Sequence, residues 1–199
     1  MDSRLYERSL EELDDIQRAA QEFVVATDSR TATRHWLRIL NGLQRLYNKL
    51  LAGAKGNAKS TAWAEAKLHE RRTDELLRYL NQARHVDEHG LGEVTETAFS
   101  VSLAARGRGM HVNSFALGAD GKTVTLDAVY SDDGSTVPFD DVVSIEYMTL
   151  VPVRNRGVLY PVPSTHRGQP INNTDLGQIA QMIVRHAMEL AHEASQLVR

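Results

Sequence analysis

Near Leu91 the hydrophobic pattern of the chain changes period, and this restricts the fold more than any other feature of the sequence. Before that point apolar residues recur every three or four positions, the spacing of a helix with one buried face. After it they alternate with polar residues, as in a strand whose two faces meet different surroundings. Leu10, Leu13, Ile16, Ala20 and Phe23 form the first helical stripe. Ser9 and Glu12 stand at capping-box spacing, so the first helix is expected to open there and run to about Ala26. Trp36, Leu37, Leu40, Leu43, Tyr47, Leu50 and Leu51 mark a second helix that ends at Gly53. The tract "GAKGNAKS" reads as a loop, with Ser60 as the cap of a helical stretch reaching His89. Low apolar content in "KLHERRTDE" predicts a break near Thr73. Leu76, Leu77, Leu80, Ala83 and Val86 then make the last stripe, and Gly90 suits the position after the helix because it accepts positive φ.

The segments "FSVSL", "MHVNSFAL", "KTVTLDAVY", "VVSIEYMTLVPV" and "GVLYPV" read as strands. Turns at Asp120-Gly121 and Asn155-Arg156-Gly157 make them antiparallel hairpins. Pro152, Pro161 and Pro163 lack a ladder donor and belong at strand ends or edges. From Thr174 a final helix carries Leu176, Ile179, Ala180, Ile183, Ala187, Leu190, Ala191, Ala194 and Leu197 along one face, which must pack on the bundle, the sheet or a second subunit. The expected fold class is α+β: an N-terminal antiparallel helical bundle, a small antiparallel β section, and a C-terminal amphipathic helix packing back. Residues 1–92 would form the helical region and 93–199 the β section with its terminal helix.

The chain contains no cysteine, which excludes disulfide scaffolds, thiolate metal sites and thiol nucleophiles. No apolar run approaches the roughly 20 residues of a membrane span, and the N-terminus lacks the basic and apolar regions of a signal peptide; a cytoplasmic protein without membrane contact is expected. The net charge of −3 is unevenly spread. Residues 30–84 hold twelve Lys and Arg against four acids, an excess of +8 that leaves −11 for the remainder. A polyanion-binding face is compatible with that asymmetry, as is a merely solvated basic helix surface.

Two motifs overlap in "ARHVDEHG", residues 83–90. His85, Glu88 and His89 spell H-x-x-E-H, in which two imidazoles one helical turn apart bind zinc and the glutamate serves as base. A third ligand is missing, since Glu146, Glu189 and Glu193 have no supporting pattern, and the helix ends directly after the second histidine. No metal is assigned. No phosphate-loop motif is present either, and no cofactor is expected.

Arg84 and His89, with four residues between them and the polar His85 after the arginine, form the second motif. It resembles the signature of the HEPN superfamily (higher eukaryotes and prokaryotes nucleotide-binding), small helical bundles that include metal-independent ribonucleases. The surrounding "LLRYLNQARHVDEHG", with the later "NRGVLYP" and "THRGQPI" segments, is also similar to a group of uncharacterised bacterial proteins with a HEPN-like helical half and a β-rich section. The resemblance implies an endoribonuclease of a defence or toxin–antitoxin setting, with RNA as substrate and an antitoxin protein as a further partner. Cleavage would proceed by attack of the 2′-OH on the adjacent phosphate, with His89 transferring protons, Arg84 holding the phosphate oxygens and His85 assisting. Five residues along a helix turn through about 500°, so Arg84 and His89 diverge by about 140°. This fits the HEPN habit of forming a composite site in a homodimer. The alternative is a non-catalytic HEPN-like module that binds nucleic acid or protein. Asp87 and Glu88 weigh toward it, since they would repel a phosphate and can pair with Arg84 along the helix.

Lys55 and Lys59 in the loop after the second helix, and Arg106 and Arg108 in "RGRGMH", are further candidates for phosphate-backbone contact. Thr165, His166, Arg167 and Gln169 lie in a segment flanked by prolines; they could contribute to a cleft, but the favoured reading is a structured crossover from sheet to helix. Trp36 and Trp63 occupy helical core positions.

Overall fold

Helix α1 (Ser3–Val24) and helix α2 (Ser29–Gly53) lie antiparallel. The amide of Asp2 donates to the carbonyl of Gly53 at one end, while Arg38 and His35 meet Glu22 at the other. Their apolar stripes explain the pairing, since Ile16, Trp36, Ile39, Leu46 and Leu50 are fully buried. Burying an aliphatic side chain of this size contributes about 1.5–3 kcal/mol. The computed structural model describes residues 1–88, 94–103, 108–117, 124–137, 142–172 and 175–198. Helices α3 (Ala58–Thr73) and α4 (Glu75–Glu88) follow, and α5 (Leu176–Ser195) packs back on α1 and α2 through Ile179, Ile183 and Leu190. The fold class is therefore α+β, with the closing helix on the bundle. Among the described residues no helix is long and apolar enough to cross a membrane.

By internal contacts the chain divides into a helical unit, Met1–Glu96 with Met148–Arg199, and a β unit, Thr97–Tyr147. Strand β1 (Thr95–Leu103) pairs with β4 (Val142–Leu150), and β2 (Met110–Leu117) runs antiparallel to β3 (Val124–Tyr130) from Met110↔Tyr130 to Leu117↔Val124. Ala128, Tyr130 and Val137 form the small apolar cluster of the β unit. The Asp120-Gly121 turn lies outside the described residues.

The helical unit also contains two short hairpins. Strand β5 (Val153–Asn155) pairs with β6 (Val158–Tyr160), and β7 (Thr165–His166) with β8 (Gln169–Pro170). The tight Asn155-Arg156-Gly157 turn is present, with φ of +49° at Arg156 and +80° at Gly157, as a two-residue hairpin loop of mirror-image type requires. The long strand expected through "TLVPV" is instead two strands, β4 and β5, separated at Val151-Pro152 where the proline has no amide to donate.

Three helix starts differ from expectation. The first helix begins at Ser3, because Asp2 accepts the amide of Leu5 at 2.9 Å and residues 3–8 continue the helix. Ser9 is instead buried within α1 and donates to the carbonyl of Tyr6, while Glu12 binds Arg45 and Lys49 on α2. Asn57, not Ser60, caps α3, and Ser60 turns its hydroxyl to the carbonyl of Ala54 at 2.9 Å. Asp175 caps α5, one residue after the expected Thr174, by accepting the amide of Gln178. The break near Thr73 falls where the apolar pattern fails: Asp74 has extended backbone, with ψ of 131°.

Candidate functional site

Asp74 is a pivot between two helices. Its amide donates to Glu70 and closes α3, while Oδ1 accepts the amide of Leu77 at 2.9 Å and opens α4. The α3–α4 corner presents Arg71 and Arg72 from the end of one helix beside Arg78, Arg84 and His85 from the other. These five, with Gln44, Leu68, Asn81, Gln82 and Tyr160, line a cleft of about 340 Å³. That is within the range of about 300–1,000 Å³ usual for small-molecule sites. No Asp or Glu is among the described residues lining it.

Arg71 forms the deepest cationic part of the cleft. Its guanidinium donates to the side-chain carbonyls of Gln44 and Asn81 and stacks 4.6 Å from the centre of the Tyr47 ring. All three partners are neutral, and Arg71 makes no ion pair with a described residue. Burial, and then the charge of the nearby Arg84, pushes the Arg71 guanidinium below its ordinary value. The Arg84 Nη2 atom lies 3.2 and 3.3 Å from the two ring nitrogens of His85, so the guanidinium rests against the imidazole. Arg72 and Arg78 are exposed and make no ion pair with a described residue. Guanidiniums gathered with no carboxylate among the described lining residues favour an oxyanion, and their planar donor forks match phosphate.

Of the residues singled out from the sequence, Arg84 and His85 line this cleft together. His89 and Arg106 lie outside the described residues, as do the side chains of Asp87 and Glu88. Lys55 and Lys59 are exposed and do not line the cleft. Arg108 belongs to the β unit, where it bonds Asp132 and Asp133 and lies 3.7 Å from the centre of the Tyr130 ring. The sequence reading missed Arg71, Arg72, Arg78 and Tyr160. The signal for the three arginines was the +8 excess of residues 30–84, which indicates a basic surface without indicating which side chains converge; Tyr160 had none.

The "THRGQPI" segment forms the β7–β8 hairpin, which clamps the corner from behind. The Arg167 amide donates to Asp74 Oδ2 at 2.6 Å, and His166 Nδ1 lies 3.0 Å from Asp74 Oδ1. Burial alone would raise the Asp74 carboxyl, but the amides of Arg167 and Leu77 together with His166 hold it below the ordinary range. The Arg167 guanidinium bonds Glu70 and Glu189 and lies 3.2 Å from Nδ1 of the buried His186, whose Nε2 lies 2.7 Å from the Tyr47 hydroxyl. The segment, read as a structured crossover, does not line the cleft and holds the corner in place through His166 and Arg167. Among the described residues, no group of three or more His, Cys, Asp or Glu is placed to hold a metal ion. Glu189 pairs with Arg167, and Glu193 with Lys67 and Trp63.

No family model, curated protein or solved structure matches the chain.

Proposed function

We propose that the protein binds RNA through the arginine cleft and cleaves it without a metal, as a HEPN-type endoribonuclease with a site completed in a homodimer. The observation that carries this reading is that Arg84 and His85 of the motif share one cleft with Arg71, Arg72 and Arg78, lined by no described carboxylate. A phosphodiester seated there would place its non-bridging oxygens against Arg71 and Arg84. The 2′-OH of the preceding nucleotide then attacks phosphorus and the O5′ bond breaks. One imidazole takes the 2′ proton and a second delivers one to the leaving oxygen. The guanidiniums stabilise the extra negative charge of the phosphorane. The products are a 2′,3′-cyclic phosphate and a 5′-hydroxyl. His85 and His89 supply the imidazoles, with the second chain contributing one residue of the motif to the composite site.

The test is incubation of a mixed RNA pool with purified protein in excess EDTA, wild type beside Arg84→Ala, His85→Ala and His89→Ala. The expected outcome is cleavage by wild type with cyclic phosphate ends, lost in Arg84→Ala and His89→Ala. RNA that is bound by wild type yet left uncut would make the protein the silent binding module instead.

A further inference from the structure

A second hollow of about 260 Å³ adjoins the arginine cleft and shares two of its residues, Arg78 and Tyr160. Its character is different. Tyr79, Tyr160, Pro161, Val162 and Pro163 supply most of its wall. The prolines fix their own backbone φ, so this wall is preformed. Tyr160 ends strand β6, is held opposite the buried Val153 in the β5–β6 hairpin, and is only partly buried. Its hydroxyl makes no hydrogen bond with a described residue. Glu75, the one carboxylate among the described residues lining the hollow, accepts hydrogen bonds from the amide and hydroxyl of Ser164 and the amide of Thr165. A negative group there makes the hollow unsuited to phosphate, whereas the adjoining cleft presents arginines and no described carboxylate.

We infer that the two cavities divide one nucleotide between them: the phosphate lies in the arginine cleft, and its unpaired base stacks on Tyr160 in the proline-walled hollow. Arg78, at the junction, contacts the sugar-phosphate link between them. The inference rests on the RNA-binding reading above and adds to it a requirement for unpaired bases, because a base held in a duplex cannot enter the hollow. Stacking of one base on one aromatic ring is sequence-tolerant, so the site selects for strandedness more than for a particular base.

The test compares three fluorescent probes of equal length by anisotropy: a 2′-O-methyl single strand that cannot be cleaved, an abasic sugar-phosphate strand, and a fully paired 2′-O-methyl duplex. Wild type is expected to bind the single strand about tenfold more tightly than the abasic strand, as loss of one stacked base implies. The duplex should bind no better than the abasic strand. Tyr160→Ala should abolish the preference, so that the single strand and the abasic strand bind it alike, and Tyr160→Phe should retain it. Tyr160→Leu keeps an apolar side chain in the hairpin and should behave as Tyr160→Ala, which separates the loss of stacking from a failure to fold. A wild type without preference, or a Tyr160→Leu variant that keeps it, overturns the base subsite. The phosphate reading is read separately on the abasic strand: if wild type fails to bind it, or Arg71→Ala binds it equally well, the arginine cleft is not a phosphate site and the subsite falls with it.

Discussion

Acid should weaken the helical unit through His186 on α5, and replacing that histidine should remove the effect. His186 is 1% exposed. Its Nδ1 faces the Arg167 guanidinium, which can only donate, so the neutral ring carries its proton on Nε2 and donates it to the Tyr47 hydroxyl oxygen. Burial, and then the Arg167 charge, pushes the imidazole down from 6.5 to about 4; His166 and Lys67 act the same way, and Glu70 opposes them. The unfolded chain takes up this proton near pH 6.5 and the folded chain only near pH 4. Between those values the unfolded state holds the extra proton and is favoured. The contribution is therefore complete above pH 6.5 and is lost as pH falls toward 4. At about 1.36 kcal/mol per tenfold change in proton affinity, the loss by pH 4.5 is about 2.5 kcal/mol.

His186→Gln keeps a polar side chain and cannot titrate. Urea unfolding followed by tryptophan fluorescence reads the helical unit alone, because Trp36 and Trp63, the two tryptophans of the chain, both belong to it. At pH 7 the variant should be less stable by about 1–3 kcal/mol, from the disturbed hydrogen bonds. The wild-type advantage should then shrink by about 2.5 kcal/mol on going to pH 4.5. Glu70, Asp74 and Glu193, all held below the ordinary carboxylate value, also lose stability in acid, but they do so in both proteins and cancel. Wild type and variant losing stability in parallel would refute a neutral buried imidazole.

Arg71→Ala should weaken binding to every RNA strand alike and flatten the slope of log affinity against log salt by about one, because one fewer phosphate is neutralised; a salt series measures this directly. Gly42→Ala, on α2, would place a Cβ 2.7 Å from Ile16 Cγ1 on α1. The crowding should destabilise by about 1–3 kcal/mol and outweigh or cancel the gain of about 1 kcal/mol in helix propensity, which the same urea assay checks. A variant more stable than wild type by the full propensity gain would show that the two helices have room to separate.

The helices were legible because their information is local. The stripes through Ile16, Leu43, Tyr47 and Ile183 repeat at helical period, and the same residues are buried. Helix starts were less legible because several residues nearby can cap equally well. Asp2 and Asn57 compete with Ser9 and Ser60, and which one caps depends on whether the intervening residues extend the helix. The hairpin at Arg156-Gly157 was legible for the opposite reason, since few residue pairs accept positive φ in succession. Arg84 and His85 could be named from their spacing, but the rest of the cleft could not. Tyr160 reaches it only because β5 and β6 fold back: Asn155 donates to Gln82 on α4 at 2.7 Å, and the Tyr79 hydroxyl donates to the Val151 carbonyl at 2.6 Å. Pairings between residues so far apart in the chain leave no periodic trace in the sequence.

The corner at Asp74 explains why arginines scattered along the chain line one cleft. In one unbroken helix, Arg71 and Arg84 would lie thirteen residues and about 20 Å apart along the axis, too far for one cleft of this size. Breaking the helix at Asp74 folds α4 against α3 and removes that separation, and the β7–β8 hairpin holds the break closed through Asp74 and Glu70. The surroundings show that acids were available to neutralise cations. In the helical unit Arg18 pairs with Asp14, Arg38 with Glu22, Arg45 and Lys49 with Glu12, Lys67 with Glu193, and Arg167 with Glu70 and Glu189. Arg71, Arg72 and Arg78 make no such pair with a described residue. A chain with more acids than bases thus gathers three guanidiniums beside Arg84 and surrounds the deepest with two neutral amides and a ring, an arrangement that favours an oxyanion in this cleft.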